Sequence, residues 1–153
     1  MRLNDPVVEI RRTRTVAAQP QPIWDVLADF GAISSWADNV DHSCLLSPEA
    51  DDIGVGTTRR VQVGRNTLVE RITVFTPPST LAYDVEGFPG WLRVNNRWTL
   101  TPSAGATVVV LVSTVTIAGP LGRIVEHIVA RVSAKMLDEL LTGLANRTEG
   151  RSA

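Results

Sequence analysis

The middle of the chain, between residues 40 and 117, consists of six segments that alternate apolar and polar residues or are rich in β-branched residues. These patterns predict β-strands, and the glycine- and proline-containing connections between the segments predict turns. Strands that follow one another through short turns pair antiparallel, so the pattern predicts an antiparallel meander. The predicted strands are 40–46, the two arms of a hairpin within 56–74, and 81–85, 92–101 and 106–117.

The flanking segments add one strand and several helices. A strand is predicted for Val7–Val16, and two short helices are predicted between Pro22 and Asn39, the second of them through Ile33 and Trp36. From Leu121 to about Arg147, apolar residues recur at three- and four-residue spacing, which predicts an amphipathic helix on the order of 40 Å long. The polar residues after it are expected to fray. The long helix must bury its apolar stripe, and the concave face of the sheet is the large apolar surface available to it.

The central hairpin places two opposite charges on an otherwise aliphatic face. If Arg65 and Asn66 are the two loop residues, Arg59 and Glu70 are diagonal neighbours, roughly 7–8 Å apart at the backbone. Long side chains can span that distance, so the pair is predicted to interact on one face of the sheet. The aliphatic residues predicted for the same face are Val61, Val63, Leu68, Ile72 and Val74.

Composition excludes several classes of function. A length of 153 residues favours one domain, 1–153, with its core at about 7–147. The formal net charge of −1 does not indicate the excess of basic residues that is typical of proteins that bind nucleic acid. The apolar runs are too short to span a membrane and the N-terminus lacks an apolar signal core, so we expect a cytoplasmic protein without stable membrane insertion. The single cysteine, Cys44, excludes an internal disulfide.

Residues that could hold a metal ion are few. His42 and Cys44 lie two residues apart on one predicted strand, whereas His127, the other histidine, belongs to the last helix. Two ligands do not make a zinc site. The sequence contains no phosphate-binding glycine loop and no Ser-His-Asp triad, and no βαβ unit surrounds Gly54-x-Gly56. We therefore expect no metal and no other cofactor.

Several landmarks, together with the order of the elements, resemble the START/Bet v 1-like superfamily, and within it the polyketide cyclase/dehydrase-like proteins. The resemblance covers residues 7 to about 144 and implies an α+β helix-grip fold. Its sheet would be seven-stranded, curved and antiparallel, wrapped around a long C-terminal helix, with two short helices after the first strand. The landmarks are Pro22-x-Trp24-x-Val26-Leu27-Ala28-Asp29-Phe30 followed by Trp36, then Gly54-x-Gly56-x-x-Arg59, Glu70-Arg71, Tyr83 and Gly119-Pro120.

The resemblance also implies a cavity for a small, mostly apolar molecule, and strand alternation gives candidate lining residues. Trp36 is a candidate lid over the cavity, although core packing is the favoured role for it, and the aromatic turn 88–91 is a candidate border of the entrance. For the aliphatic candidates, plain core packing is the alternative; the amide of Asn96 needs hydrogen-bond partners, which a ligand or an ordered water can supply. The candidates are Arg59, Val61, Val63, Leu68, Glu70, Ile72, Tyr83, Val85, Asn96, Trp98, Val110 and Val112 from the sheet, and Ile128, Val132 and Met136 from the last helix.

Two functions are compatible with such a cavity. The first is binding or transport of a small hydrophobic ligand, such as a lipid, a polyketide or an aromatic metabolite, by a monomer or homodimer. The second is a cofactor-free polyketide cyclase, dehydratase or isomerase, in which Glu70 moves a proton and Arg59 holds an oxygen of the ligand. A structural ion pair that fixes the sheet is a third interpretation of Arg59 and Glu70, and fold similarity does not choose among them.

Overall fold

A computed structural model describes residues 5–46, 52–120 and 122–152. Among these residues, seven strands form one antiparallel sheet in the order β1-β7-β6-β5-β4-β3-β2. The predicted meander and the final helix are therefore confirmed, and β1 joins the sheet beside β7. The elements are β1 (Val7–Val16), α1 (Pro20–Ala28), the 3-10 helix η1 (Phe30–Ser35), β2 (His42–Leu45), β3 (Thr58–Val63), β4 (Asn66–Thr76), β5 (Thr80–Glu86), β6 (Leu92–Ser103), β7 (Ala106–Ile117) and α2 (Gly122–Ser152).

The register of the central hairpin differs from the predicted one by two residues. Gly64 and Arg65 form the loop, and Arg59 pairs directly with Glu70 instead of lying diagonal to it. Gly64 has a φ of 59°, which suits the first position of a type II′ turn, and this turn fixes the register. A shift of two residues keeps every side chain on its predicted face, so the charged pair remains on the inner face.

Two predicted faces are wrong. On β7 the residues with odd numbers are the buried ones, so Val110 and Val112 lie on the outer face of the sheet. On β4 a β-bulge falls between Ile72 and Val74. The extra residue at the bulge changes the alternation, and Phe75 instead of Val74 packs inward, against Trp24 with 5.2 Å between the ring centroids.

The apolar residues of helix α2 that are fully buried lie in its second half. Leu137, Leu141 and Leu144 are buried there, whereas Ile124 and Ile128 in the first half are 70% and 65% exposed. The helix also runs on to Ser152, so the predicted fraying beyond 147 is wrong up to that residue. A gap lies between the inner face of the sheet and this first half of the helix.

Candidate functional site

The gap between the inner face of the sheet and the first half of α2 is a cavity of about 280 Å³. Its lining is mainly aliphatic, as in most sites for small apolar molecules. Phe88, Ile128 and Val132 line the cavity and are also exposed to solvent, so they border its opening. The lining residues are Ile33, Asn39, Val40, Val61, Val63, Leu68, Glu70, Tyr83, Val85, Phe88, Leu92, Val94, Asn96, Ser113, Val115, Ile128, Val129, Val132, Ser133, Met136, Leu137 and Leu140.

The cavity brings together most, but not all, of the residues predicted from the sequence. Ten of the candidates line it: Val61, Val63, Leu68, Glu70, Tyr83, Val85, Asn96, Ile128, Val132 and Met136. Arg59, Ile72, Trp98, Val110, Val112 and Trp36 do not line it. Their contact with a ligand has no support from the geometry, and the first three are instead part of the packed interior.

Trp36 was predicted as a candidate lid, and its packing differs from that role. Its ring is buried and meets the ring of Trp98 edge-on, with 6.0 Å between the centroids. Trp98 in turn donates a hydrogen bond from Nε1 to the hydroxyl of Tyr83 at 3.2 Å. The two tryptophans therefore form an aromatic support behind the cavity wall, which is the core-packing role weighed against the lid.

Arg59 and Glu70 form a buried ion pair, because both side chains point inward from the directly paired positions on β3 and β4. The Nε and Nη2 atoms of Arg59 each lie 2.7 Å from Oε1 of Glu70. The arginine residue is 2% exposed and the glutamate residue 7%. A buried pair with this geometry offsets much of the free energy that burying either charge alone would cost.

The remaining contacts of Arg59 hold its guanidinium away from the cavity. Its Nη1 donates a hydrogen bond to the carbonyl oxygen of Phe30 at 2.9 Å. The guanidinium carbon lies 3.7 Å from the centroid of the Phe30 ring and 4.8 Å from that of Tyr83. The guanidinium is therefore enclosed by groups of the protein, while Glu70 reaches the cavity wall. A role for Arg59 as the anchor of a ligand oxygen has no support from this arrangement.

Polar groups on three neighbouring strands form a row across the inner face. Asn96 of β6 pairs in register with Tyr83 of β5 on one side and with Ser113 of β7 on the other. All three line the cavity. Because they are adjacent on one face, the apolar cavity has a polar strip along one wall.

The hydroxyl of Tyr83 is held in its neutral form. Burial raises its pKa above the ordinary value of about 10, and the negative charge of Glu70 raises it further. The positive charge of Arg59 acts in the opposite direction. Hydrogen bonds from the side chains of Trp98 and Asn96 also lower the pKa, without reversing the shift. Tyr83 therefore serves the site as a neutral hydrogen-bonding group.

Titration of Tyr83 can be followed directly, because it is the one tyrosine of the sequence. We expect the ultraviolet absorbance of its phenolate to appear at higher pH in the folded protein than in the protein unfolded by urea. Since the unfolded state loses this proton first, the free energy of unfolding should fall as the pH rises above about 10. Tyr83→Phe should lack that part of the decrease. Equal titration in the folded and unfolded states would contradict the buried position of the phenol.

Some lining residues lie outside the predicted set. Asn39, in the connection after η1, carries an Oδ1 atom that is buried without a hydrogen-bond partner among the described residues, and no pattern in the sequence marked it. Ser113 was missed because β7 was assigned the opposite face. Val94 lies two residues from Asn96 on the same strand, so the alternation of β6 would have identified it.

The other candidate groups do not assemble into a site. His42 and Cys44 lie on β2 with exposed side chains, and His127 is exposed on α2. Within residues 5–46, 52–120 and 122–152, no cluster of three or more His, Cys, Asp or Glu side chains could hold a metal ion. The helices in these ranges include none that is both long and apolar enough to cross a membrane.

A curved antiparallel sheet, a long C-terminal helix and a mainly apolar cavity between them define a helix-grip domain of the START/Bet v 1 superfamily. Within it, the chain belongs to the family described as "Polyketide cyclase / dehydrase and lipid transport", whose profile matches residues 7–149. A search of curated proteins found no match.

Solved structures share the fold at low sequence identity. The Zhui aromatase/cyclase from a Streptomyces strain is 20% identical, with a TM-score of 0.79 and 97% of each chain covered. A START superfamily protein from Mycobacterium smegmatis is 17% identical, with a TM-score of 0.74 and coverage of 93% of this chain and 97% of that one. TTHA0849 from Thermus thermophilus is 20% identical, with a TM-score of 0.73 and coverage of 95% and 100%. At these identities, the likeness shows the fold alone.

Proposed function

We propose that the protein binds and carries a small hydrophobic molecule in the cavity beneath α2. The observation that carries this proposal is the cavity itself, about 280 Å³ in volume and lined mainly by aliphatic side chains. A mainly apolar void that opens to solvent favours an apolar ligand, because burying the ligand's surface removes it from water. The family, which includes lipid transport proteins, supports the same function.

Filling the cavity should weaken binding. Val94 lines the cavity and is half-buried, so Val94→Phe is expected to weaken binding of the neutral fluorophore N-phenylnaphthylamine by about tenfold or more. Val112→Phe is the matched control, because Val112 is also half-buried but lies on the outer face of the sheet. The measurement is the increase in fluorescence during titration of each purified variant, with unfolding curves to verify that each is folded.

Three results would decide this test. Binding by the wild type and Val112→Phe, but not by Val94→Phe, supports ligand binding in the cavity. Equal loss in both variants, or no binding by the wild type, contradicts it. Native mass spectrometry of protein purified from its own host, in search of a retained small molecule, then identifies the natural ligand.

A second candidate function is cofactor-free cyclisation, dehydration or isomerisation of a polyketide. The observation in its favour is that the carboxylate of Glu70 reaches the cavity wall beside Tyr83. In this version Glu70 transfers the proton and Tyr83 donates a hydrogen bond to the ligand's oxygen, while Arg59 only positions Glu70. Conversion of a bound polyketide by the wild type, lost in Glu70→Gln with affinity retained, would favour this function. Binding without conversion would favour the carrier.

A further inference from the structure

Two acceptor atoms in the cavity wall, Oδ1 of Asn39 and Oδ1 of Asn96, lack a hydrogen-bond partner among the described residues, and Asn96 is the one that lies in the polar strip of the sheet. Asn96 is 9% exposed, and its Oδ1 makes no hydrogen bond with any of the described residues. Leaving a buried acceptor unpaired costs about 1–3 kcal/mol. Because Asn96 lines the cavity, the group that can complete its hydrogen bonding is one that occupies the cavity.

The neighbours of Asn96 indicate which kind of group this is. The hydroxyl of Tyr83, the direct strand neighbour of Asn96, already accepts a hydrogen bond from Nε1 of Trp98. The atom of Asn96 that remains without a partner is Oδ1, and an amide oxygen can only accept a hydrogen bond. The ligand must therefore supply a hydrogen-bond donor at this point of the wall.

The charges around the cavity restrict the ligand further. Glu70 is the charged residue among the described residues that line the cavity. Its counterion, Arg59, is bound to Glu70 and to the carbonyl of Phe30, and does not line the cavity. A ligand carboxylate would be buried near another carboxylate with no cation available to it, which is strongly unfavourable.

We propose that the cavity selects neutral molecules with a hydroxyl group on an apolar skeleton, a phenol or an alcohol, and rejects carboxylates. The hydroxyl donates a hydrogen bond to Oδ1 of Asn96, and the skeleton lies along the aliphatic wall formed by the sheet and α2. This inference rests on the ligand-binding function proposed above and specifies the chemical class of the ligand.

Three compounds with the same ring system provide the test: naphthol, its methyl ether and naphthoate, each displacing N-phenylnaphthylamine near neutral pH. We expect naphthol to bind about fivefold more tightly than the ether, because the ether has no proton to donate. Naphthoate should bind at least about tenfold more weakly than naphthol. Equal binding of naphthol and the ether, or stronger binding of naphthoate, would overturn the proposal.

Two variants on the same strand assign the preference to Asn96. In Asn96→Leu, the ratio of the affinities for naphthol and the ether should fall to about one, since the acceptor is gone. Asn95→Leu is the matched control, because Asn95 lies on the opposite face, where it donates a hydrogen bond to Asp84, and the ratio should stay at the wild-type value. A ratio unchanged in Asn96→Leu would overturn the assignment.

A crystal structure of the wild type with naphthol covers the case in which Asn96→Leu does not fold. The hydroxyl oxygen should lie within hydrogen-bonding distance of Oδ1 of Asn96, and a hydroxyl bound elsewhere would refute the proposal. These experiments test the carrier function and the chemical class of the ligand separately. If N-phenylnaphthylamine does not bind in the cavity, the carrier function is wrong; if it binds there and naphthol has no advantage, the carrier function stands and the ligand class is wrong.

Discussion

Arg59→Met is expected to lower the free energy of unfolding by about 3–5 kcal/mol, since it leaves the Glu70 carboxylate buried without a cation. Methionine retains much of the volume of the side chain between the Phe30 and Tyr83 rings, so most of the loss comes from the unpaired charge and not from a void. The carbonyl of Phe30 also loses its donor. Urea denaturation at neutral pH measures the change.

A double variant and an exposed ion pair serve as controls for this result. Arg59→Met combined with Glu70→Leu should recover most of the lost stability, because apolar groups replace both charges. Arg12→Met breaks the ion pair between Arg12 and Asp138, whose side chains are 43% and 60% exposed, and should cost at most about 1 kcal/mol. If the double variant were as unstable as Arg59→Met, the uncompensated charge would not be the cause.

Gly143→Ala is expected to destabilise the protein by about 1–3 kcal/mol, although the same exchange in an ordinary helix interior is favourable. A Cβ atom at Gly143 would collide with the carbonyl oxygen of Trp36 and would lie 3.4 Å from the carbonyl carbon. Both atoms are backbone and cannot turn aside as a flexible side chain can. Helix α2 would have to move away from the end of η1, and thermal or urea unfolding measures the resulting loss.

Asn146→Ala separates the collision at Gly143 from helix propensity. Asn146 is exposed on the same helix, and alanine there raises helix propensity without a new contact. We expect this variant to be as stable as the wild type or slightly more stable. An equal gain in Gly143→Ala would mean that α2 and η1 do not approach each other as closely as described.

The alternation of the strands predicted the fold and the inner faces of β3, β5 and β6, because one face of each is apolar and the other polar. The hairpin register could not be read from it, since a shift of two residues preserves both faces. Arg59 therefore lies on its predicted face and contacts Glu70 as predicted, but the two residues are paired directly across the strands instead of diagonally. The Gly64-Arg65 sequence, which suits a type II′ turn, carried the missing information.

The prediction of which face of β7 is buried was wrong for a different reason. Residues 108–112 are all β-branched or leucine, so neither face differs from the other in polarity. The orientation of the Arg59 guanidinium could not be predicted either. It depends on contacts with Phe30, which lies in a distant part of the sequence. Alternation locates a side chain on a face but does not tell which atoms surround it.

The two halves of α2 differ in how deeply they are buried. The second half of the helix, with Leu137, Leu141 and Leu144, shares the main core with the sheet. In the first half, Ile128 and Val132 are exposed, and Val125 and Val129 are only partly buried against that core. A movement of the first half wide enough to admit a ligand would therefore disturb few buried contacts and cost a small part of the global free energy of unfolding. Such a movement would leave in place the turns of α2 that contribute most to the core.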